Sequence, residues 1–483
     1  MGHVSRFELD PSARLNSDRR VLIGGSPVSL FRLSAAGSSI IDRIRSGESL
    51  TPGHAALTDR LVAAGALHPV YEPDHGPTAS DVTLVIPAFG ADAGRVQELA
   101  RRTGAARTIV VDDASPTPFP EVPGIEVLRL GTNRGPGAAR QAGLDMVTTP
   151  FVAFLDADTE VDGGWLDTLL PCFAAESVAL VAPRVRPRPT EPGAPAIAVL
   201  LARFEALRGP LDLGPVRGRI RAATRISYVP AAALICRTAA LRACGGFDPG
   251  MRLGEDVDLV WRLDEAGWMC RYEPATEVRH DVRPSLGAWL RQRSGYGSSA
   301  TDLALRHPGS VAPVQVSVWS AVSWVLPAIR LPALGAVVAA GSTAVLARKL
   351  PAMPDRVAQA VRLAGLGHLH AGRILATALT RSWWPVTLAG ALVSRRMRKV
   401  LLVSVAVPTL LEWWKVRRSL DPLRFAALRL LDDGAYGFGL WRGAWRRRSP
   451  AALLPNLTGW PGRAARQGSN ETGNATPVGG AQQ

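Results

Sequence analysis

Cysteine is scarce in this chain, and its spacing excludes two classes of protein. The 483 residues contain four cysteines, at positions 172, 236, 244 and 270. This spacing matches neither a zinc site nor the framework of a small disulfide-stabilised domain, so we expect a reducing, cytosolic setting. The first residues, MGHVSRFELDPSARL, also lack the apolar segment of a secretory signal peptide.

Acidic residues are fewer than basic ones. Lys and Arg total 56 against 41 Asp and Glu, which gives a net charge of +15. This balance suits an anionic partner such as membrane phospholipid, nucleic acid or a phosphorylated substrate, although a merely solubilising surface gives the same total. Residues 1–72 contain no concentrated basic recognition helix, so we expect no nucleic-acid partner.

Residues 1–72 have the pattern of a small separate module. VLIGG followed by PVSLFRL predicts two short strands around a Gly-Gly turn. SAAGSSIIDRIRSG and ALTDRLVAAGAL predict short helices, the first with a serine at its N-cap. We therefore predict a winged-helix-like α+β module, followed by a linker over residues 73–80 that is rich in Pro, Gly and Ser.

Residues 81–305 alternate between apolar strands and amphipathic helices. VTLVIPAF, TIVVDDAS, GIEVLRL and PFVAFLDAD have the near-continuous apolar character of strands buried on both faces, and helical segments separate them. This alternation predicts an α/β domain built on a mainly parallel sheet. In such sheets ligands bind beyond the carboxyl ends of the strands, where several aspartates of this sequence fall.

Residues 306–462 are predicted to form an apolar helical region. VAPVQVSVWSAVSWVLPAI has no charge, but it is barely as long as the ~20 residues that span a bilayer, and the later apolar segments are shorter. Tryptophan and arginine beside these segments are typical of a membrane interface. We expect membrane association at the cytoplasmic face, with helices that cross the bilayer or lie on it; buried helices of a soluble protein are the alternative. We expect residues 463–483 to be disordered.

FLDADTEV places two aspartates, Asp156 and Asp158, directly after a buried strand. Carboxylates this close repel each other unless a cation lies between them. Mg²⁺ and Mn²⁺ prefer such oxygen ligands and also bind phosphate oxygens. We therefore predict a divalent-metal site that holds the diphosphate of a nucleotide.

Two further motifs are candidates for nucleotide binding. The acids of VVDD, Asp112 and Asp113, are suited to accept hydrogen bonds from a nucleobase or a ribose, although Asp-Ala-Ser also favours a plain turn. NRGPGAARQAG starts a helix whose backbone amides attract anions. Asn133 belongs to this motif, and Arg140 is suited to pair with a carboxylate or a phosphate.

The order and spacing of VTLVIPAFG, VVDDAS, NRGPGAARQAG and FLDAD resemble the nucleotide-sugar domain of family 2 glycosyltransferases, which have the GT-A fold. The resemblance implies that Asp113 contacts the uracil and that Asp156 and Asp158 bind metal and diphosphate. Pro87, in the first of these motifs, is included among the expected nucleotide-sugar contacts.

The resemblance extends to the acceptor side of the domain. GGFDPGMRLGEDVDLVWR contains an acidic pair in the position of the catalytic base of inverting members, and Asp256 is preferred to Glu255. Related enzymes often have a histidine like His280 as a further metal or phosphate contact, while a lone histidine is as often structural. Arg293, in the basic segment WLRQRSGYG, is predicted to neutralise the leaving group. The QxxRW motif of processive members is absent, which disfavours long-chain synthesis.

The N-terminal stretch RVLIGGSPVSLFRLSAAG resembles a PqqD-like module. Together with the apolar C-terminal region it makes the chain similar to the glycosyltransferases of mycofactocin systems. That resemblance implies a peptide-derived redox cofactor as acceptor, UDP-glucose as donor and β-linked glucose as product. Two alternatives remain: a polyprenyl-phosphate or cell-wall glycan acceptor, and a non-catalytic peptide-binding scaffold.

Overall fold

A computed structural model describes residues 6–72 and 76–459. The tail predicted to be disordered, residues 463–483, and the first three residues of the predicted linker lie outside this range.

The N-terminal unit contains five short strands and two helices. They are β1 (Arg6–Leu9), β2 (Arg14–Leu15), β3 (Val21–Gly24), β4 (Ser29–Arg32), α1 (Ala35–Arg45), α2 (Ala55–Ala63) and β5 (Leu67–Val70). β1 pairs antiparallel with β5, and β2, β3 and β4 form a separate antiparallel sheet. Ser34 caps α1, because its hydroxyl accepts a hydrogen bond from the backbone N–H of Gly37 at 3.0 Å.

A buried charge cluster joins this unit to the rest of the chain. Asp10 is 2 % exposed. One of its carboxylate oxygens contacts both His68 Nε2, at 2.9 Å, and Arg225 Nη2 of the next domain, at 2.8 Å. These partners hold the pKa of Asp10 well below its usual range despite burial, which opposes them.

The central domain is a mixed sheet covered by helices. Its elements are β6 (Val82–Ala88), α3 (Ala93–Thr103), β7 (Arg107–Asp112), β8 (Glu126–Arg129), α4 (Pro136–Asp145), β9 (Phe151–Leu155), β10 (Thr159–Val161), α5 (Trp165–Leu169), β11 (Val178–Pro187), α6 (Ala196–Arg208), β12 (Gly218–Arg219), β13 (Ala233–Arg237), α7 (Thr238–Ala243), α8 (Glu255–Glu265), β14 (Met269–His280) and α9 (Leu286–Arg306).

The strand order confirms the α/β class and adds antiparallel strands. The order is β10-β14-β11-β13-β9-β6-β7-β8, and β12 also pairs with β14. The four strands predicted from their apolar runs, β9, β6, β7 and β8, are parallel neighbours, and β13 pairs antiparallel with β9. Separate apolar clusters pack around Phe154 on one face of the sheet and around Leu155 on the other. Burial on both faces explains why β6, β7 and β9 show no alternation of polar residues. The prediction that the fourth strand is buried in the same way is wrong, because β8 lies at the edge of the sheet and is partly exposed.

The C-terminal region is helical. It consists of β15 (Gln315–Ser317), α10 (Val318–Ala328), α11 (Pro332–Lys349), α12 (Arg356–Thr377), a π-helical turn (Ala378–Ser382), α13 (Trp384–Val393), α14 (Arg395–Val416), α15 (Pro422–Arg447) and β16 (Asn456–Thr458). Over the described residues, none of the helices combines the length and the apolar character needed to traverse a bilayer.

The longest helix of this region, α15, crosses α9 of the central domain at very short range. A Cβ atom at Gly439 would collide with the carbonyl oxygen of Ser294, and one at Gly297 would collide with that of Tyr436. Only glycine allows the two backbones to approach this closely. The helical region is therefore packed directly against a helix of the central domain.

Candidate active site

The two aspartates of FLDAD and His280 come together through strand pairing. Asp156 is the first residue after β9, and Asp158 immediately precedes β10. β10 pairs antiparallel with β14 so that Thr159 lies opposite His280, the last residue of β14. As a result, one ligand atom from each of Asp156, Asp158 and His280 lies within 4.8 Å of the others.

The orientation of the His280 ring suits a metal. Its Nδ1 lies 2.8 Å from the backbone carbonyl of Asp281, which can only accept, so Nδ1 carries a hydrogen. In the neutral ring Nε2 then presents a lone pair, 3.3 Å from a carboxylate oxygen of Asp158 and 3.9 Å from one of Asp156. Two carboxylates and an imidazole held by a carbonyl form a donor set that fits Mn²⁺ or Mg²⁺.

The protein itself supplies part of the positive charge that the sequence analysis assigned to a metal. Arg140 is buried, and its guanidinium contacts Asp156 at 2.6 Å and Glu255 at 2.7 Å. The repulsion in FLDAD is therefore not relieved by a metal alone. Asp158 lacks this contact, and burial, together with the charge of Asp156, raises its pKa.

The small residues of NRGPGAARQAG let α4 approach α8. A Cβ atom at Gly137 would lie 2.9 Å from Cγ of Glu255 and 3.0 Å from the carbonyl oxygen of Met251. This close approach is what brings Arg140, one turn further along α4, between the carboxylates of Asp156 and Glu255. The predicted pairing of Arg140 with a carboxylate is thus observed.

The acids of VVDD stabilise loops. Asp112 is fully buried, and its oxygens accept hydrogen bonds from the backbone amides of Ser115 and Phe119 and from Arg129. The prediction that Asp112 contacts the nucleotide is therefore not supported, since both of its oxygens already accept hydrogen bonds within the protein.

Asp113 links the second strand to the start of α4. Its two carboxylate oxygens accept from the backbone amides of Arg134 at 2.8 Å and Gly135 at 2.7 Å. Asn133 is exposed beside this loop, where it donates to the Asp113 carbonyl at 3.2 Å. Pro87 is half-buried near the carboxyl end of β6. Nucleotide contacts by these three residues stay predictions.

The predicted acidic pair begins α8. Glu255 is buried and contacts Arg140, whereas Asp256 is only partly buried. Asp256 accepts from the backbone amides of Val257 at 2.8 Å and Ala231 at 3.2 Å. The pKa of Glu255 and the pKa of Asp256 are both raised above their usual values, mainly because burial disfavours the charged carboxylate. The more accessible Asp256 is the better candidate for a base.

Known proteins match this chain along most of its length. The two pre-mycofactocin glycosyltransferases of Mycobacterium tuberculosis, from strains CDC 1551 / Oshkosh and ATCC 25618 / H37Rv, are each 38% identical to it over 470 residues. The match covers 93% of this chain and 97% of each relative. Residues 84–225 also match the family described as glycosyl transferase family 2. The chain belongs to the family 2 glycosyltransferases.

Solved structures match more distantly. GalNAc-T7 with UDP, GalNAc and Mn²⁺ is 14% identical, with 53% of this chain and 60% of that chain covered and a TM-score of 0.34. The mannosyltransferase PcManGT from Pyrobaculum calidifontis with GDP-Man and Mn²⁺ is 16% identical, with 75% and 89% covered and a TM-score of 0.36. TM-scores this low give no residue-by-residue correspondence.

The structure gives Arg293 of this glycosyltransferase a different role from the one predicted. Arg293 is 2 % exposed, and its guanidinium is paired with Glu205 and, at 2.9 Å, with Asp432 of α15. It lines the cleft beside His280, but its charge is already balanced by two carboxylates. A leaving-group contact by Arg293 is therefore not supported.

Arg283 is the basic residue that the sequence analysis missed. It lines the same cleft, its side chain is 43 % exposed, and Nη1 lies 3.7 Å from a carboxylate oxygen of Asp158. Its position three residues after His280, in HDVRP, was the available signal. Arg293 is paired with two carboxylates, whereas Arg283 has one contact at 3.7 Å, so Arg283 is the better placed of the two to bind a diphosphate.

Proposed function

We propose that this glycosyltransferase transfers a hexose, in the first instance glucose from UDP-glucose, to a peptide-derived redox cofactor of the mycofactocin type or to its precursor. The transfer inverts the anomeric carbon and adds one or several β-linked sugars. The acceptor is proposed because the two relatives that match nearly end to end are named pre-mycofactocin glycosyltransferases. The observation that carries the chemistry is the convergence of Asp156, Asp158 and His280 beside α8, which begins with the predicted base.

On the donor side, Asp156, Asp158 and His280 would hold a divalent ion. The ion, Mg²⁺ or Mn²⁺, would stabilise the negative charge that develops on the departing diphosphate. Arg140 fixes the Asp156 carboxylate in position through its 2.6 Å contact. Arg283 is placed to add a charge-assisted hydrogen bond to the diphosphate.

On the acceptor side, Asp256 removes the proton from the attacking hydroxyl. The hydroxyl oxygen attacks the anomeric carbon from the face opposite the diphosphate, and the proton remains on Asp256. The raised pKa of Asp256 makes it a stronger base than an ordinary aspartate. Glu255 is held by Arg140 and serves to position that arginine rather than to accept the proton.

The N-terminal unit is proposed to bind the peptide from which the acceptor derives. Among the described residues β2 and β4 are the terminal strands of a three-stranded sheet. An extended peptide can add to such an edge through backbone hydrogen bonds. The PqqD-like nature of this unit rests on the sequence resemblance.

Product analysis tests the proposed acceptor and donor. The purified chain is incubated with Mn²⁺, several UDP-sugars and either peptide-derived or polyprenyl-phosphate acceptors, and the products are analysed by mass spectrometry. We expect a hexose adduct on the peptide-derived acceptor from UDP-glucose. An adduct only on the lipid would favour the alternative acceptor, for which the many exposed apolar side chains after residue 318 are the supporting observation.

A further inference from the structure

Helix α14 has its apolar side on the outside and polar side chains on the inside. Leu402, Leu410 and Trp414 are 66 %, 56 % and 60 % exposed. Ser404 and Thr409 of the same helix are buried. A helix on a water-facing surface has the opposite arrangement, because burying its apolar stripe is what stabilises it.

Ionic contacts fix this orientation. Thr409 accepts a hydrogen bond from Arg429 of α15, and Glu412 contacts the same arginine at 3.2 Å. Glu412 also pairs with Arg373 of α12 at 2.6 Å. Rotating α14 to bury its leucines would break these contacts and leave Arg429, which is 2 % exposed, without compensation. The apolar side therefore stays outside.

The exposed apolar residues of α14 form one continuous stripe. They recur at intervals of one, three and four residues, which places them on one side of a helix. We define the outer apolar face as these side chains together with the two that precede the helix: Leu392, Val393, Leu402, Val403, Val407, Leu410, Leu411 and Trp414.

Positive charge borders this face at both ends. Near the start of α14 lie the exposed residues Arg395, Arg396, Arg398 and Lys399, and near its end lie Lys415, Arg417 and Arg418. The only acid in α14, Glu412, is directed inward and paired. An apolar stripe between basic ends is complementary to an anionic lipid surface, where acyl chains receive the stripe and headgroups receive the bases.

We propose that the outer apolar face binds the surface of an anionic phospholipid bilayer, with α14 lying along the interface. We choose a lipid surface rather than a second protein because one leaflet offers both contacts at once: its acyl chains contact the apolar stripe and its anionic headgroups contact the basic residues. This proposal concerns a surface separate from the catalytic residues, and it holds whatever the sugar or acceptor is.

Co-flotation of the full chain with lipid vesicles tests the proposal. We expect the chain to float with vesicles containing roughly one-third phosphatidylglycerol and to float much less with pure phosphatidylcholine. In the triple variant Leu402→Ser, Leu410→Ser, Trp414→Ser, the association constant for the anionic vesicles should be lower by at least about tenfold. Replacing Arg395, Arg396, Arg398 and Lys399 by Gln should weaken the preference for anionic vesicles, because only Lys415, Arg417 and Arg418 then remain at the borders of the face.

A matched variant controls for the loss of apolar surface in general. Val28→Ser with Leu305→Ser removes side chains that are 59 % and 51 % exposed outside the helical region, and vesicle binding should persist. Equal binding of the triple variant and the unchanged chain would overturn the proposal. The proposal would also be overturned if the unchanged chain did not bind vesicles and light scattering showed it to be a dimer while the triple variant was a monomer. Hydrogen exchange at residues 400–416 gives an independent readout, since vesicles should slow it only in chains that bind.

Discussion

The central sheet domain and the C-terminal helices distribute apolar and charged side chains in opposite ways. The sheet strands bury Phe154 and Leu155 completely, and the candidate metal ligands Asp156 and His280 lie at the ends of strands rather than within the apolar core. In the helical region Leu392 and Val393 are 77 % and 87 % exposed, while Asp432 and Asp433 of α15 are buried. Most of the large hydrophobic side chains that are exposed in the described residues belong to this second region.

The difference shows that two kinds of interaction hold the two regions. The sheet domain is stabilised mainly by apolar burial, as an ordinary water-soluble domain is. The helices are joined to it by an apolar cluster that includes Phe204, Trp289 and Phe425. A network of ion pairs adds to this contact, and it is made up of Glu205, Arg208, Arg293, Arg381, Glu412, Arg429, Asp432 and Asp433. A change at Asp256, which is only partly buried, should therefore lower catalysis more than stability. Changes in the ion-pair network should lower stability more than catalysis.

The largest effect is expected at the predicted base. Asp256→Asn keeps the size of the side chain and one of its two hydrogen bonds from backbone amides. The amide cannot accept the proton, so kcat should fall by about 10²–10⁴-fold. The melting temperature and UDP-sugar affinity should change little. Steady-state kinetics measures kcat, and calorimetry measures the melting temperature and the UDP-sugar affinity. The exposed residue change Asp167→Asn is the control. Unchanged kcat would exclude Asp256 as the base.

The pH profile sharpens the same assignment. Asp256 must be unprotonated to act, and burial raises its pKa above the usual value. The rate should therefore rise with pH through that raised pKa and fall as the pH drops below it. Measuring kcat at saturating metal and donor separates this limb from any pH dependence of metal or donor binding. If Asp256→Asn retains the same acidic limb in its residual activity, the limb belongs to another group.

A large loss of stability is expected in the ionic network. Asp433 is 2 % exposed and contacts Arg381 at 2.8 Å and Arg208 at 3.3 Å. Asp433→Ala leaves Arg381 and Arg208 to share the single carboxylate of Asp432, so the network has one positive charge in excess. This change should lower the free energy of unfolding by about 3–5 kcal/mol. Denaturant unfolding measures it. Glu98→Ala removes exposed ion pairs and should lower the free energy of unfolding much less. Equal losses of stability in the two variants would show that the buried network contributes no more than exposed ion pairs.

A smaller effect is expected where α15 crosses α9. Gly439→Ala forces a methyl group against the Ser294 carbonyl and should cost about 1–3 kcal/mol of stability. Gly434→Ala, on the same helix, meets nothing within 4 Å and should stabilise the chain by up to about 1 kcal/mol through helix propensity. Thermal melts of the two variants compare them directly. Similar shifts would show that the crossing is not tightly packed.

The sequence predicts the fold class and part of the site well. The apolar runs identify the parallel strands, and the position of Asp156 and Asp158 after FVAFL follows from them. His280 meets these aspartates because β10 and β14 pair in a register that no local pattern displays. The ion pair of Arg293 is hidden from the sequence for a similar reason: its partner Glu205 lies 88 residues away. Such long-range ion pairs leave no periodic signal.

The central claim is that Asp156, Asp158 and His280 hold a divalent ion that binds the donor diphosphate. Isothermal titration calorimetry of UDP binding, in Mn²⁺ and in EDTA, tests it most directly. We predict that EDTA weakens binding by at least about tenfold, and that a variant with Asp156→Asn and Asp158→Asn binds UDP equally weakly in both solutions. Equal UDP affinity of the unchanged chain with and without EDTA would contradict the account.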